Sequence, residues 1–149
     1  MLESAAICDI LLVEDNPGDA LLVRLGLQSE ASREVSVVNV GDGQEALDYL
    51  YRRDKYKEAP RPKVVFLDLN LPKIDGREVL KAVKQDRNLS TIPVVILSTS
   101  ESSTDIDSSY RHGANSYIVK PRELADTLST ISRCRTYWLD TVRLQVSTA

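Results

Sequence analysis

Short apolar runs alternate with stretches of helical spacing along this chain. The runs consist mostly of Val, Ile and Leu, and Gly, Pro, Asn or Asp residues separate them from the helical stretches. Such runs are typical of strands buried inside a sheet. We therefore predict five strands, at residues 10–13, 35–40, 64–69, 94–97 and 117–119.

The helices are predicted from the signals at their starts. Asn16, Asp42, Asp75 and Ser102 each precede apolar residues at helical spacing, and their side-chain oxygens can cap the free amide groups of a helix. A fifth helix is predicted from about 122 to 144. Alternating strands and helices predict an α/β fold, in which five helices cover a doubly wound five-stranded parallel sheet.

Composition indicates a single soluble globular domain over 1–149. Of 149 residues, 42% are hydrophobic and 28% are charged, and no linker or internal repeat is visible. The one long connection, 54–63, contains Pro60 and Pro62 and is expected to be an extended, solvated loop.

Charge and cysteine usage exclude several classes of function. The chain has 19 Lys and Arg against 22 Asp and Glu, a net charge of −3, and no basic cluster, which argues against a nucleic-acid partner. One His and two distant Cys argue against a zinc site or a disulfide framework. The longest apolar run near the amino terminus, 10–13, is too short for a signal peptide or a membrane span, so we expect a cytoplasmic protein without membrane contact.

Polar residues follow most of the apolar runs. Because the carboxyl ends of parallel strands share one edge of a sheet, we expect these residues to meet there. They are Glu14 and Asp15 after the first run, Asp68 in the third, Ser98 and Thr99 after the fourth, and Lys120 after the fifth. Two carboxylates 4 Å apart repel each other by ~4 kcal/mol at an effective dielectric near 20, so three of them require protons or a cation. Oxygen ligands of this kind favour Mg²⁺.

The chemistry of such an edge is phosphoryl transfer. Asp15 is expected to bind the metal directly, and Asp68 to touch it with one oxygen while the other attacks a phosphorus atom. Lys120 can pair with the transferred phosphoryl oxygens, and the Ser98 hydroxyl can donate to another. Each residue also has a plainer interpretation: Asp15 as a helix cap, Lys120 as a surface residue, and Ser98 as a turn former.

In combination these motifs resemble the receiver domain of two-component response regulators, over nearly the whole chain. The matching positions are Glu14-Asp15, Asp68-Leu69-Asn70-Leu71-Pro72, Asp75-Gly76, Ser98, Gly113-Ala114, Tyr117 and Lys120-Pro121. The resemblance implies a flavodoxin-like sheet with strand order 2-1-3-4-5. It also implies that Asp68 accepts a phosphoryl group from a phosphohistidine on a sensor histidine kinase.

The resemblance further assigns roles around Asp68. Mg²⁺ would be held by Asp15, Asp68 and the backbone carbonyl of Asn70, with Glu14 acting through water. Ser98 would move toward the new phosphate and Tyr117 would rotate inward behind it, as the switch. Ser98 stands where Thr is commoner and Thr99 is its neighbour, so either hydroxyl is a candidate.

Finer features resemble the small regulators of cyanobacterial and bacterial phytochromes. These features are Ala59-Pro60-Arg61-Pro62, the segment from Leu69 to Pro72, the helix start from Asp75 to Leu80, and Tyr137-Trp138-Leu139. This narrower resemblance implies a phytochrome-type kinase as the partner.

The last predicted helix is longer than the sheet requires. Its 23 residues from Arg122 to Leu144 would span roughly 34 Å. The excess would expose apolar surface, so we expect a homodimer that uses Tyr137, Trp138 and Leu139. A frayed tail or an intramolecular cap remains an alternative. Because the chain ends five residues after Leu144, no effector domain is expected, and the signal would pass to an unknown downstream protein.

Functions from two other classes would also use residues of this kind. A small phosphatase with an aspartyl nucleophile is the alternative, since Asp68-x-Asn70 resembles the Asp-x-Asp arrangement of haloacid-dehalogenase relatives. Those enzymes place the nucleophile after the first strand, and Asn70 is a poor general acid. Binding of a flavin or dinucleotide is disfavoured, because no glycine-rich phosphate loop is present. The leading prediction is a phosphoacceptor signalling protein rather than an enzyme.

Overall fold

A five-stranded parallel sheet forms the centre of the computed structural model, which describes residues 6–145. The strand order is β2-β1-β3-β4-β5, and every neighbouring pair is parallel, as predicted. The strands are β1 (Cys8–Val13), β2 (Val37–Val40), β3 (Pro62–Leu67), β4 (Val94–Ser98) and β5 (Ser116–Val119). All five predicted strands are therefore confirmed.

Five α-helices connect and follow the strands, which also confirms the prediction. They are α1 (Pro17–Gln28), α2 (Gly43–Leu50), α3 (Gly76–Gln85), α4 (Ser103–Arg111) and α5 (Leu124–Arg135). The side chains of Asn16, Asp42, Asp75 and Ser102 each accept a backbone amide hydrogen bond at the start of a helix. The four predicted caps are thus present, and these four helices begin directly after them, whereas α5 begins at Leu124 without a side-chain cap.

The second strand is shorter than predicted, because a side chain takes the place of a neighbouring strand as the hydrogen-bond partner of Val35. The Gln28 amide donates to the Val35 carbonyl at 2.7 Å and accepts from the Val35 amide at 3.1 Å. Val35 is therefore buried and hydrogen-bonded without belonging to the strand.

The connection 54–63 is not an extended loop throughout. A short 3-10 helix forms at Asp54–Tyr56, and the strand β3 already begins at Pro62. The Tyr49 hydroxyl donates to the Pro60 carbonyl at 2.9 Å, and the Arg52 guanidinium donates to the Ala59 carbonyl at 2.9 Å. These side chains hold the connection against α2. The prediction of an extended loop was wrong at Asp54–Tyr56, whereas half of the residues 54–63 are exposed as predicted.

Hydrophobic clusters cover both faces of the sheet, as expected for a doubly wound fold. One cluster lies under α2 and α3, and the other lies under α1 and α5. The two helices of the second cluster approach closely at Gly26. A Cβ atom there would lie 2.7 Å from the Cβ of Ile131, so a glycine is needed at this crossing.

The last helix differs from the prediction of one helix running to about residue 144. The α-helix ends at Arg135, widened π-helical turns follow at Thr136–Thr141, and Val142 is extended. The Arg135 side chain is buried and donates to the carbonyls of Leu27 and Ser29, which satisfies the free carbonyl groups at the end of α1. This anchoring coincides with the change in helix type.

The predicted apolar overhang is therefore wrong. Trp138, Leu139 and Leu144 are half-buried and pack against the hydrophobic cluster under α1 and α5. Tyr137 is the residue of the predicted dimer contact that stays largely exposed, at 52%. The intramolecular cap, which was the alternative, describes Trp138 and Leu139 better.

Within residues 6–145, none of the helices has the length and apolar character needed to cross a membrane. The expectations about residues 1–5 and about the chain after residue 145 lie outside the described part of the protein.

Candidate functional site

Lys120 gathers three carboxylates at the carboxyl edge of the sheet. Its Nζ lies 2.6 Å from Oε1 of Glu14, 3.1 Å from Oδ2 of Asp68 and 3.1 Å from Oδ2 of Asp19. An ammonium group has three N–H donors, so these contacts use its full capacity. The Lys120 side chain is only 12% exposed. The plainer interpretation of Lys120 as a surface residue is thereby ruled out.

The sheet itself places these side chains. The Glu14 amide donates to the Val40 carbonyl at 3.0 Å and the Asp68 amide donates to the Val13 carbonyl at 3.1 Å, which continues the strand pairing past the ends of β1 and β3. In the same way, the Lys120 amide donates to the Ser98 carbonyl at 2.7 Å, one step past β5. Each residue therefore takes its position from the last hydrogen bonds of the sheet.

Glu14 and Asp15 have different environments although they are neighbours. Glu14 is buried, and its Oε2 accepts the Asn16 amide at 3.1 Å, whereas Asp15 is exposed. The cap of α1 is Asn16, whose side chain accepts the Asp19 amide at 3.0 Å. The interpretation of Asp15 as a helix cap is therefore wrong, and its carboxylate is not used by the start of α1.

The carboxylates of Glu14, Asp15 and Asp68 form a cluster that suits a divalent cation. Each offers an oxygen, and these oxygens all lie within 4.8 Å of one another. An octahedral Mg²⁺ with ligands at 2.0–2.1 Å spans about 4.2 Å between opposite ligands. The cluster thus needs only a small contraction to enclose such an ion, and its all-oxygen donor set matches a hard cation.

Burial and charge compete in this cluster. Burial raises the pKa of Glu14, and the hydrogen bond from Lys120 opposes that shift only partly. Burial also works against the charged form of Lys120, but its contacts with Glu14 and Asp68 outweigh burial and raise the pKa of the ammonium group. Lys120 is therefore a permanent positive charge beside Asp68 at neutral pH.

Asp68 is held from the other side by the loop that follows it. Its Oδ1 accepts the Asn70 amide at 3.2 Å, and Asn70 itself is exposed. The start of α3 presses on this loop, because a Cβ on Gly76 would lie 2.1 Å from the Asp68 carbonyl oxygen. Gly76 is thus required for close approach of two backbone segments, a role that its position after Asp75 did not reveal.

The two candidate hydroxyl residues, Ser98 and Thr99, differ in their exposure to solvent. Ser98 is completely buried at the end of β4, where its Oγ accepts the Ser100 amide at 3.1 Å, whereas Thr99 is exposed. The Tyr117 hydroxyl donates to the Ser100 carbonyl at 2.8 Å. Ser98 and Tyr117 therefore act on the same residue of the loop between β4 and α4.

Asp19 is a site residue that the sequence analysis missed. It lies in the first turn of α1, where an acidic residue is usual for its effect on the helix dipole, so nothing in the pattern marked it. Its place in the first turn of α1, which begins directly after the edge residues Glu14 and Asp15, is the signal that could have placed it near the cluster.

Comparison with known proteins identifies the family. The family model of the response regulator receiver domain matches residues 10–132. The response regulator Rcp1 of Synechocystis sp. is 41% identical over 135 residues, which cover 91% of this chain and 91% of Rcp1.

Two solved structures agree closely with this fold. The phosphorylated cyanobacterial phytochrome response regulator RcpA matches with a TM-score of 0.90 and 42% identity, covering 95% of this chain and 100% of RcpA. The Mn²⁺-bound form of Rcp1 matches with a TM-score of 0.88 and 40% identity, covering 93% and 99% of the two chains. This protein belongs to the response regulator receiver domain family.

Proposed function

We propose that Asp68 accepts a phosphoryl group from a phosphohistidine of a sensor histidine kinase. The observation that carries this proposal is the contact of Asp68 with Lys120 at 3.1 Å, inside a cluster that also brings Glu14 and Asp15 together. A nucleophilic carboxylate, a fixed cation and a metal-binding set of oxygens are the parts that phosphoryl transfer requires.

In the proposed reaction, a carboxylate oxygen of Asp68 attacks the phosphorus atom. A P–O bond forms, the P–N bond to the kinase imidazole breaks, and the released imidazole nitrogen takes a proton from water. Lys120 exchanges one of its carboxylate contacts for an oxygen of the transferred group and so compensates its charge. Asp15, Asp68 and the carbonyl of Asn70 would hold Mg²⁺, with Glu14 acting through water, and the ion would supply further positive charge at the phosphoryl oxygens when bound.

The proposed switch uses the loop between β4 and α4. In this structure the Ser98 hydroxyl oxygen accepts a hydrogen bond from the Ser100 amide at 3.1 Å. In the proposed switch, Ser98 turns its hydroxyl toward the phosphoryl group, and this hydrogen bond breaks. The Tyr117 hydroxyl, bonded to the Ser100 carbonyl, loses its partner when this loop moves and is free to rotate inward. Thr99 is the second candidate hydroxyl, but its exposure makes it the weaker one.

A phytochrome-type histidine kinase is the partner that we propose. The matching relatives include the phytochrome response regulator RcpA and a regulator described in red light signalling of R. palustris, which is 36% identical to this chain. A cytoplasmic location belongs to this proposal, because the kinase makes its phosphohistidine from ATP. The target of the phosphorylated protein is proposed to be another protein rather than nucleic acid.

We propose signalling rather than catalytic turnover. A phosphatase with Asp68 as nucleophile would need a general acid two residues later, and an amide stands there, in Asn70. Slow self-dephosphorylation is then the only turnover expected. Rapid repeated hydrolysis of small phosphate esters would favour the phosphatase instead.

A homodimer is the remaining part of the proposal, now resting mainly on Tyr137. Trp138 and Leu139 pack on their own chain, whereas Tyr137 is 52% exposed beside them. Sedimentation of the protein and of Tyr137→Ser at equal concentration tests this contact. The proposal predicts a lower mass for the variant, and equal masses would refute it.

The function is tested with a phytochrome-type kinase that carries labelled phosphohistidine. We expect label to move to the protein in the presence of Mg²⁺ and not in the presence of a chelator. An Asp68→Asn variant should stay unlabelled, and transfer to that variant would refute the assignment. Equal transfer from a kinase without a phytochrome sensor would refute the choice of partner but leave the acceptor role intact.

A further inference from the structure

A groove lies at the opposite edge of the sheet from Asp68. It has a volume of about 650 Å³ and is lined by the starts of β3 and β4, at Pro62 and Pro93, and by the segment after α5. This volume is within the range of binding sites in proteins. None of its lining residues belongs to the phosphoacceptor site.

Positive charge is concentrated in this groove. Five cationic side chains line it, and no lining residue among those that the structure describes is acidic. They are Arg52, Arg61, Lys63, Arg87 and Arg143. The whole chain carries a net charge of −3, so the groove has the opposite sign to the protein as a whole. Such a local field attracts anionic partners.

The charge of Arg61 is incompletely satisfied by its own chain. Its Nε is buried without a hydrogen-bond partner, although another nitrogen of the guanidinium donates to the Leu50 carbonyl. Burial and the neighbouring charge of Arg52 lower the pKa of Arg61, and the negative charge of Asp86 opposes this shift only partly. The nearby carboxylate of Asp86 accepts the amides of Asn88 and Leu89 instead.

Two further cations stand at the rim. Arg87 and Arg143 are both exposed and come from two distant parts of the chain, and no ion pair joins either of them to another described residue. Lys63 differs, because its Nζ pairs with Asp9 at 2.9 Å. The rim therefore offers two accessible guanidinium groups suited to carboxylates.

The groove also has apolar lining residues. Trp138 and Leu139 contribute half-buried side chains, and the buried Ile92 is a further lining residue. We propose that this groove binds an acidic segment of a partner protein, in which carboxylates pair with the arginines and an apolar side chain rests on Trp138. This partner contact is additional to phosphorylation at Asp68 and does not depend on it.

An acidic peptide fits the groove better than a nucleic acid. A nucleic acid would extend beyond the groove along its backbone and meet a protein with more acidic than basic residues. A short peptide needs only the groove, and its apolar side chains match Trp138 and Leu139. Charge complementarity with an apolar centre is also the usual composition of a protein interface.

Trp138 provides a direct measurement, because it is the only tryptophan of the chain. The full-length protein is titrated with an unlabelled peptide of alternating glutamate and leucine while its tryptophan emission is recorded. We expect saturable binding that weakens as salt is added, and no binding of the matched peptide with glutamine in place of glutamate.

Variants of the exposed arginines test the site without touching the core. Arg87→Glu combined with Arg143→Glu should weaken peptide binding about tenfold or more, at about 0.7 kcal/mol for each lost ion pair. Arg133→Glu is the matched control, because Arg133 is exposed on α5 and does not line the groove. All three proteins should retain phosphorylation by acetyl phosphate, which shows that they are folded.

Three results would overturn the proposal. The first is no saturable change in Trp138 emission with the acidic peptide. The second is tighter binding of oligothymidylate of equal charge, lost in the Arg87 and Arg143 variant, which would make the groove a nucleic-acid site. The third is self-association that buries Trp138 and is lost in the same variant, which would make the groove an interface between copies.

Discussion

Lys120 donates its shortest hydrogen bond to Glu14, at 2.6 Å, and a longer one to Asp68, at 3.1 Å. The buried acid thus holds the ammonium group beside the phosphoacceptor before any phosphoryl group arrives. Because Glu14 is only 3% exposed, its carboxylate depends on Lys120 for charge compensation. This contact links the stability of the fold to the chemistry of its site.

Replacing Lys120 by Met should therefore destabilise the protein as well as slow phosphorylation. The change leaves Glu14 and Asp68 as neighbouring carboxylates without their cation, and we expect the free energy of unfolding near neutral pH to fall by ~3 kcal/mol. Urea denaturation measures the loss. Added Mg²⁺ should restore more stability to Lys120→Met than it adds to the unaltered protein, since the ion supplies the missing charge.

An exposed lysine serves as the control. Lys81 pairs with Glu78 at 3.2 Å on the surface of α3, with 37% of the Lys81 side chain exposed. Lys81→Met should change stability by about 0.5 kcal/mol or less. A Lys120→Met protein as stable as this control would contradict the role assigned to the pair with Glu14.

Asp9 should make the stability of the protein depend on pH. Burial raises the pKa of its carboxyl, but the hydrogen bonds from Arg33, Ser36 and Lys63 outweigh burial and lower the pKa to about 2, from an ordinary value of 3.8. A lowered pKa means that the stabilisation is complete above the ordinary value and disappears as the pH falls toward 2. The difference between these two pKa values corresponds to about 2 kcal/mol in the free energy of unfolding.

Asp9→Asn should accordingly be less stable than the unaltered protein by about 2 kcal/mol or more near neutral pH, and the gap should shrink by about half near pH 3. Urea denaturation at several pH values checks this. Asp107→Asn is the control, because Asp107 is 62% exposed beside Arg111 and should show no such dependence. A constant gap between pH 7 and about pH 3 would refute the effect of Asp9.

Gly76→Ala should damage the site through the backbone. The new Cβ would lie 2.1 Å from the Asp68 carbonyl oxygen, so the loop after β3 must move and take Asp68 with it. We expect a loss of stability of about 1–3 kcal/mol and slower phosphorylation. Gly41→Ala is matched to it, since a Cβ at Gly41 meets nothing within 4 Å. Equal phosphorylation rates for the two variants would contradict the close approach.

Substitution of the two hydroxyls decides between Ser98 and Thr99. The buried Ser98 holds the Ser100 amide, so Ser98→Ala should change the rate or lifetime of phosphorylation by roughly two- to tenfold, the worth of one hydrogen bond. Thr99→Ala should have little effect, because Thr99 is exposed. Phosphoryl lifetimes measured on both proteins test this, and a larger effect of Thr99→Ala would reverse the assignment.

The sequence was most informative where hydrophobic runs and helix caps act locally. The buried apolar runs predict the five strands. The polar residues that follow those runs lie at the carboxyl edge of the sheet, and for this reason Asp68 and Lys120 could be predicted to lie close together. Asp9 shows the limit of this reasoning. It lies inside β1, and its contacts with Arg33, Ser36 and Lys63, all distant along the chain, make a charge acceptable there.

The errors arose where distant contacts decide local structure. The α-helix α5 ends at Arg135, whose side chain reaches the carbonyls of Leu27 and Ser29, more than 100 residues earlier. No helical periodicity contains that information, so the predicted overhang was too long. Asp19 was missed for a similar reason, because its contact with Lys120 joins two positions 101 residues apart.

The mass of the intact protein after incubation with acetyl phosphate and Mg²⁺ tests the central claim most directly. We predict that the unaltered protein gains one phosphoryl group and that Asp68→Asn gains none, although Asp15 and Asp19 remain beside the site. Phosphorylation of Asp68→Asn to the same extent, or a phosphoryl group mapped to any residue other than Asp68, would contradict the account.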